Sequence, residues 1–262
     1  METTLTFNPL KKGKTIFLFD IDGTLTAARQ GIKDDMINCL KSASAIDYID
    51  IASVGGSDVN KAKEQLQSAF SIFKYVFTEN GLVSFDTNGN IFHSKKISEH
   101  LGEDKLKNII NFCLKYIAEL DIPIKRGTFI EYRTGLINVS PIGRNCSLEE
   151  RLAFNEYNKE HKILEKFKEE VEKKFAQEYQ LRFAIGGQIS FDCFPVGWDK
   201  TYCLQFLKEY DNIIFFGDKT YPGGNDYDIA ISKNITRAYN VKGPGDTIEK
   251  INKLIEELQS LS

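Results

Sequence analysis

Three short apolar runs, each ending in a polar cluster, constrain this chain more than any other feature. Ile16-Phe17-Leu18-Phe19 runs into Asp20, Ile49-Asp50-Ile51-Ala52-Ser53-Val54 into Gly55-Gly56-Ser57-Asp58, and Ile213-Ile214-Phe215-Phe216 into Gly217-Asp218. Runs of this length and composition read as strands buried on both faces, the kind found in parallel sheets. Helical spacing lies between and after them: Ile32, Met36, Ile37 and Leu40 within 32–45, and Ala62, Leu66 and Phe70 within 59–70. Strand–helix alternation predicts an α/β fold, an open parallel Rossmann-like sheet with right-handed crossovers. Ligands of such sheets bind beyond the carboxyl ends of the strands. Asp20, Asp22, Ser57 and Asp218 are therefore expected in one crevice, although they are far apart in the chain.

The middle of the chain reads differently. Asn88-Gly89-Asn90 signals a hairpin between Leu82–Phe85 and Ile91-Phe92. An amphipathic helix is expected over 101–120, with Leu106, Ile109, Ile110, Cys113, Leu114 and Ile117 on one face. Two strands, 129–133 and 136–139, flank the turn Thr134-Gly135, and one long charged helix is expected over 149–179. A second hairpin pairs 182–185 with 188–194 around Gly186-Gly187. Two helices on a small antiparallel sheet make an α+β unit inserted into the first domain. The expected division is a core of 1–90 and 197–262 with an inserted cap of 91–196.

Composition narrows the functional class. Hydrophobic residues make up 42% and charged residues 27% of 262, as in a soluble globular protein. A net charge of -3 argues against a nucleic-acid protein. The five cysteines are odd in number and form no C-x-x-C pair, so free thiols in a reducing compartment are expected. Residues 1–14 lack the apolar region of a signal peptide. No stretch approaches the ~18 apolar residues of a membrane span. A cytoplasmic protein with neither nucleic-acid nor membrane partners is expected.

The turn Asp20-Ile21-Asp22-Gly23-Thr24 leaves a strand with two carboxylates at i and i+2. Gly23 lets the chain bend so that both face the crevice. Together with Asp218 they make a hard-oxygen site suited to Mg²⁺. One carboxylate can attack phosphorus as a nucleophile, and the second can hand a proton to the leaving oxygen and take one from the acceptor hydroxyl. Ser57, after Gly55-Gly56, can meet a phosphate at a helix start, and Lys200 can neutralise the charge of an aspartyl-phosphate. Taken singly, each has a plainer reading. Ser57 and Asp58 serve equally as helix caps, Lys200 as a solvated cation, and Asn225 or Asp226 as closers of a turn. The ordered set, ending in Gly217-Asp218-x₇-Asp226, is far more specific than its members.

That set resembles the haloacid dehalogenase superfamily of phosphotransferases. Further segments resemble the eukaryotic-type phosphomannomutases over nearly the whole chain from Lys14. They are Phe19-Asp20-Ile21-Asp22-Gly23-Thr24-Leu25-Thr26, Gly81-Leu82, Arg126-Gly127-Thr128-Phe129-Ile130-Glu131, Asn138-Val139-Ser140-Pro141-Ile142-Gly143-Arg144, Gly186-Gly187-Gln188-Ile189-Ser190-Phe191-Asp192, Gly197-Trp198-Asp199-Lys200 and Phe216-Gly217-Asp218-Lys219-Thr220. The resemblance implies interconversion of mannose 6-phosphate and mannose 1-phosphate on the way to GDP-mannose, with glucose phosphates often accepted. It implies Mg²⁺, a hexose 1,6-bisphosphate activator and a homodimer through the cap. It makes Asp20 the nucleophile and Asp22 the acid/base. Arg29, Arg133, Arg144, Arg151, Ser190 and Asp192 match substrate-binding positions. Guanidinium forks suit phosphate, so arginines on the cap can hold the phosphate that is not being transferred.

One stretch departs from the family. Where relatives carry an aspartate and then a threonine around a second cation, this chain has Ser232 and one residue inserted before Thr236. The second cation is not expected here, with Lys233 standing in for its charge. Two rivals share the same core. A phosphatase would pass the phosphoryl group to water, and a binding protein would keep the fold without turnover. The cap arginines favour transfer between two ends of one sugar. Closure of cap on core is expected, with hinges near 87–90 and 195–197.

Overall fold

The computed structural model describes residues 5–27, 30–185 and 187–261. Two compact units emerge: Met1–Ser94 with Asp199–Ser262, and Lys95–Trp198. The first unit begins with β1 (Thr15–Phe19), α1 (Asp34–Ser44), β2 (Ile49–Val54), α2 (Val59–Leu66), β3 (Tyr75–Thr78), β4 (Val83–Asp86) and β5 (Ile91–Ser94). The second unit holds α3 (Ile97–Leu101), α4 (Glu103–Glu119), β6 (Ile130–Tyr132), β7 (Ile137–Val139), α5 (Leu148–His161), α6 (Ile163–Tyr179), β8 (Leu181–Ile185) and β9 (Phe191–Pro195). The first unit resumes with a 3₁₀ turn at Lys200–Phe206, then β10 (Asn212–Gly217), α7 (Tyr227–Ala230), β11 (Arg237–Asn240) and α8 (Pro244–Gln259).

The first unit is built on a seven-stranded sheet in the order β11-β10-β1-β2-β3-β4-β5. The five strands from β11 to β3 are parallel, and β4 and β5 add an antiparallel edge. The continuous apolar run of β1 is explained by burial on both faces. Phe17 and Phe19 face a core shared with α1, α2 and α8, while Ile16 and Leu18 face Leu204, Leu207 and Ile229. Each such side chain contributes about 1.5–3 kcal/mol when fully buried. Phe19 stacks on Phe216 with ring centroids 4.7 Å apart. In register, Phe19 stands beside Phe216 on one side and Ser53 on the other. The carboxyl ends of β1, β2 and β10 are therefore level, and the polar residues that follow them open on one edge.

Two expected boundaries move. Ile91–Ser94, read as the start of the insert, pairs with β4 as the edge strand of the first sheet. The Asp86 carboxylate accepts from the amides of Asn88 and Asn90, both at 2.9 Å, and so fixes that hairpin turn. Trp198, read as core, belongs to the second unit, where it is buried against His100 at 5.0 Å between ring centroids.

The second unit has an antiparallel sheet in the order β6-β7-β9-β8. Its apolar face meets α4 and α6 through aromatic pairs, Phe167 against Phe191 at 5.1 Å and Tyr116 stacked on Phe167 at 4.2 Å. The single long helix expected over 149–179 is two helices. Lys162 between them is left-handed, at φ 55° and ψ 42°. Asn158 makes the break possible: its backbone carbonyl accepts from Lys162 N–H and its side-chain Oδ1 accepts from Leu164 N–H, both at 2.8 Å. Charge periodicity does not register one left-handed residue. α5 starts from a reciprocal capping box between Ser147 and Glu150.

Candidate functional site

Asp20 follows β1 directly and is buried, with its amide donating to Phe216 O at 2.9 Å. The chain then turns through Gly23, at φ +82°, and returns so that the amides of Leu25 and Thr26 donate to Ile21 O. Lys200, only 3% exposed at the start of its 3₁₀ turn, donates to Asp20 and, at 2.5 Å, to Asp226. Asp226 is fully buried, and its second oxygen accepts from Lys219 N–H at 3.1 Å. Carboxylate oxygens of Asp20, Asp218 and Asp226 all lie within 4.8 Å of one another.

Electrostatics follow from this crowding. Burial, the largest cause, pushes Asp20 up to about 7 against the pull of Lys200, and the neighbouring Asp226 and Asp218 add to the rise. Burial also leads the upward shift of Asp218. For Lys200, burial disfavours the charged form, but Asp20 and Asp226 outweigh it and hold the ammonium above its ordinary pKa. Asp20 and Asp226 thus share the Lys200 ammonium, and Asp218, beside Lys219, adds a third carboxylate. That excess of negative charge, on hard oxygen donors, is what a small divalent cation offsets, so the residues fit Mg²⁺.

Asp22 was expected among the metal ligands, but its carboxylate is turned to α2. Gln65 Nε2 donates to it at 2.7 Å and Lys61 Nζ lies 3.4 Å away. Asp226 completes the acidic cluster instead. Its spacing from Asp218 was visible in the sequence, but a turn-closing aspartate and a buried ligand look alike there. Gln65 was missed altogether. It is buried, on the face of α2 shared by Ala62 and Leu66, where a polar residue signals a partner.

Asp20, Asp22, Gly55, Ser57, Lys219 and Asn225 line a cleft of about 170 Å³. Ser57 stands at the mouth of α2 and its carbonyl accepts from Glu79 N–H, while Asp58 caps the helix by accepting from Lys61 N–H at 3.0 Å.

The second unit carries its own polar cluster. Glu131, Asn138 and Asp192 lie directly opposite one another across β6, β7 and β9. Asn138 Nδ2 donates to Asp192 at 2.7 Å and to Ser190 Oγ at 3.0 Å, while its Oδ1 accepts from Arg144 at 2.9 Å. Asn138 therefore ties three expected substrate residues together, a role its place in a matching motif did not reveal. Arg133 joins the group through Glu131. Arg151 lies in the first turns of α5, with its amide donating to Ser147 O. Arg29 lies outside the described residues. Burial raises Asp192, against the hydrogen bond from Asn138 and the charges of Arg133 and Arg144.

The profile of the family described as eukaryotic phosphomannomutase matches residues 36–257. The chain belongs to that family. It is 51% identical over 243 residues to phosphomannomutase 1 of Dictyostelium discoideum, covering 92% of this chain and 96% of the relative. It is 52% identical over 236 residues to the phosphomannomutase of Dendrobium officinale, covering 90% and 92%. Among solved structures, this family member overlays on the IMP-bound, N-terminally truncated IMP-nucleotidase of Plasmodium falciparum with a TM-score of 0.62, at 18% identity over 94% of this chain and 69% of that one. It overlays on a haloacid dehalogenase-like hydrolase from Bacteroides thetaiotaomicron with a TM-score of 0.58, at 12% identity over 92% and 99%. These likenesses show the haloacid dehalogenase fold.

All five cysteines are free, and three of them are buried, where burial pushes the Cys113 thiol up to about 12. That is unfavourable for nucleophilic thiolate chemistry. No helix among the described residues is long and apolar enough to cross a membrane.

Proposed function

We propose that this chain interconverts mannose 6-phosphate and mannose 1-phosphate, with Asp20 as nucleophile and Asp22 as acid/base. The observation that carries the reading is the contrast between two carboxylates two residues apart. Asp20 is buried against Lys200 and the acidic cluster, while Asp22 is partly exposed and held by Gln65 and Lys61. Paired carboxylates in unlike surroundings take unlike roles.

In this scheme a hexose 1,6-bisphosphate first leaves a phosphoryl group on Asp20. O1 of mannose 6-phosphate attacks that phosphorus, its proton passes to Asp22, and the Asp20–phosphorus bond breaks. The bisphosphate so formed turns around. Asp20 attacks the phosphorus at C6, O6 leaves, and Asp22 returns the proton to it. Mg²⁺ held by Asp20, Asp218 and Asp226 would neutralise charge and polarise the phosphoryl oxygens. Lys200 keeps Asp20 in place, and Ser57 offers its hydroxyl to the phosphoryl group. A sugar-sized pocket is usually 300–1,000 Å³. The cleft of about 170 Å³ suits a phosphoryl group, not a whole hexose bisphosphate. Arg133, Arg144 and Arg151, with Ser190 and Asp192, are proposed to take the other phosphate and the sugar hydroxyls, and Arg29 to assist. Glucose phosphates carry the same phosphates and fit the same scheme.

The proposal extends to a cytoplasmic homodimer that feeds GDP-mannose synthesis. The self-association surface is proposed on α4 of the second unit, where Leu114 is exposed.

A coupled assay with mannose 1-phosphate, Mg²⁺ and a trace of glucose 1,6-bisphosphate tests the reading. Wild type should form mannose 6-phosphate and Asp20→Asn should not. Release of inorganic phosphate in step with substrate loss would make the chain a phosphatase instead.

A further inference from the structure

Arg133 and Arg144, the residues proposed to hold a phosphate, are already engaged by a carboxylate. Glu131 Oε2 accepts from Arg133 Nε at 3.0 Å and Nη2 at 2.5 Å, and lies 2.9 Å from Arg144 Nε. One oxygen thus gathers both guanidinium groups. The three side chains remain reachable from solvent, at 34% exposure for Arg133, 30% for Arg144 and 35% for Glu131.

The backbone brings these three side chains together. Glu131 lies in β6 and Arg133 follows directly after the end of that strand. Arg144 is held from the other side by Asn138, which stands opposite Glu131 in the ladder. A phosphate shared by the two arginines would need the position of Glu131 Oε2. Two anions cannot share it, so a phosphate that takes these same donors would displace Glu131. Its carboxylate is a weaker occupant than a phosphate dianion, which offers more charge and three oxygens to two forks. Displacement is therefore feasible, and it subtracts from the affinity for the phosphate.

We propose that Glu131 is an internal counter-anion that competes with the hexose phosphate for Arg133 and Arg144, and so keeps their grip loose enough for a phosphorylated sugar to let go and turn. The inference rests on the mutase reading given above. A mutase gains nothing from arginines that hold every bound state equally tightly, because uniform binding lowers KM without raising kcat. A device that weakens the grip shortens the stay of the bisphosphate at this end. Glu131 is on this view a positioning residue that touches neither Asp20 nor the reacting phosphorus.

The sign of one change in affinity separates this role from a merely structural one. If Glu131 only orients the arginines, its removal weakens binding. If it competes, its removal tightens binding. Mannose 6-phosphate and inorganic phosphate are titrated calorimetrically into wild type, Glu131→Gln, Glu131→Ala and Arg144→Ala, and KM and kcat are measured beside them. Loss of a partly exposed competing ion pair should tighten the binding of mannose 6-phosphate about two- to fivefold in both Glu131 variants. KM should fall and kcat should not rise. Equal or weaker binding in both Glu131 variants overturns the proposal while leaving the phosphate-binding role of the arginines standing. If Arg144→Ala leaves the binding of mannose 6-phosphate unchanged, the arginines do not hold the phosphate, and the proposal falls with that reading.

Discussion

A Cβ added to Gly23 would lie 2.4 Å from the Asp218 carboxylate, so the turn after β1 and the end of β10 meet with no room for a side chain. Gly23 also sits at φ +82°, where an L-residue is strained. Gly23→Ala should therefore move Asp218 as well as strain the turn. A shift of about 1 Å in a catalytic constellation can cost about 100-fold in rate. The expected outcome is a comparable fall in kcat, with a melting temperature only a few degrees lower. Wild-type turnover in Gly23→Ala would mean that Asp218 need not stay where it is.

Lys200 is the cation between two buried carboxylates, so its removal leaves Asp20 and Asp226 unpaired. Breaking a buried ion pair from one side costs about 3–5 kcal/mol. Lys200→Met should unfold at lower denaturant, its unfolding free energy reduced by an amount in that range, and millimolar Mg²⁺ should restore part of the loss. Adding Asp226→Asn should recover stability, because it removes one of the stranded charges. Strictly additive losses in that double variant would show that Lys200 and Asp226 do not depend on each other.

Asn138 is 2% exposed and satisfies Arg144, Ser190 and Asp192 at once. Asn138→Leu has similar volume but no polar atoms. A buried polar group left without its partner costs about 1–3 kcal/mol. We expect lower thermal stability together with a raised KM for hexose phosphate and a smaller change in kcat. An unchanged KM in the folded variant would separate this hub from substrate binding.

Arg237 grips Glu257 through both Nη atoms, at 2.7 and 2.9 Å, while its Nε donates to Asn8 O. The hydrogen bond from Arg237 holds Glu257 below its ordinary value of 4.5. A folded-state pKa that is depressed supplies stability above the unfolded pKa, and the supply is lost as pH falls through the folded value. Wild type should therefore lose stability from about pH 4.5 downwards more steeply than Glu257→Gln. Denaturant midpoints at neutral pH and across that acid range test it, and parallel curves for the two proteins would exclude the pair as a source of acid sensitivity.

The strands of the first sheet were legible because burial on both faces leaves an unbroken apolar run, and their polar ends followed from the rule for ligand sites in such sheets. The antiparallel edge was half legible. The turn at Asn88-Gly89 and the pairing of Ile91-Phe92 with Leu82–Phe85 stood out, but the exposed Ile91 and Phe92 gave no sign that the first unit runs on through them to Ser94. The partners within the site were less visible. Asp226 and Asn138 act through burial and through neighbours distant in the chain. Gln65 was hidden inside an ordinary amphipathic pattern. The left-handed Lys162 carries none of the glycine or asparagine chemistry that usually marks such a residue.

The row Glu131–Asn138–Asp192 also bears on how the second sheet is assembled. Side chains alternate faces, so a slip of one residue in any of the three strands would drive a carboxamide or carboxylate among Phe167, Phe191 and their neighbours and put an apolar residue in the row. The polar rung thereby acts as a proofreader of register: a mispaired sheet cannot assemble the rung and is penalised for failing to do so.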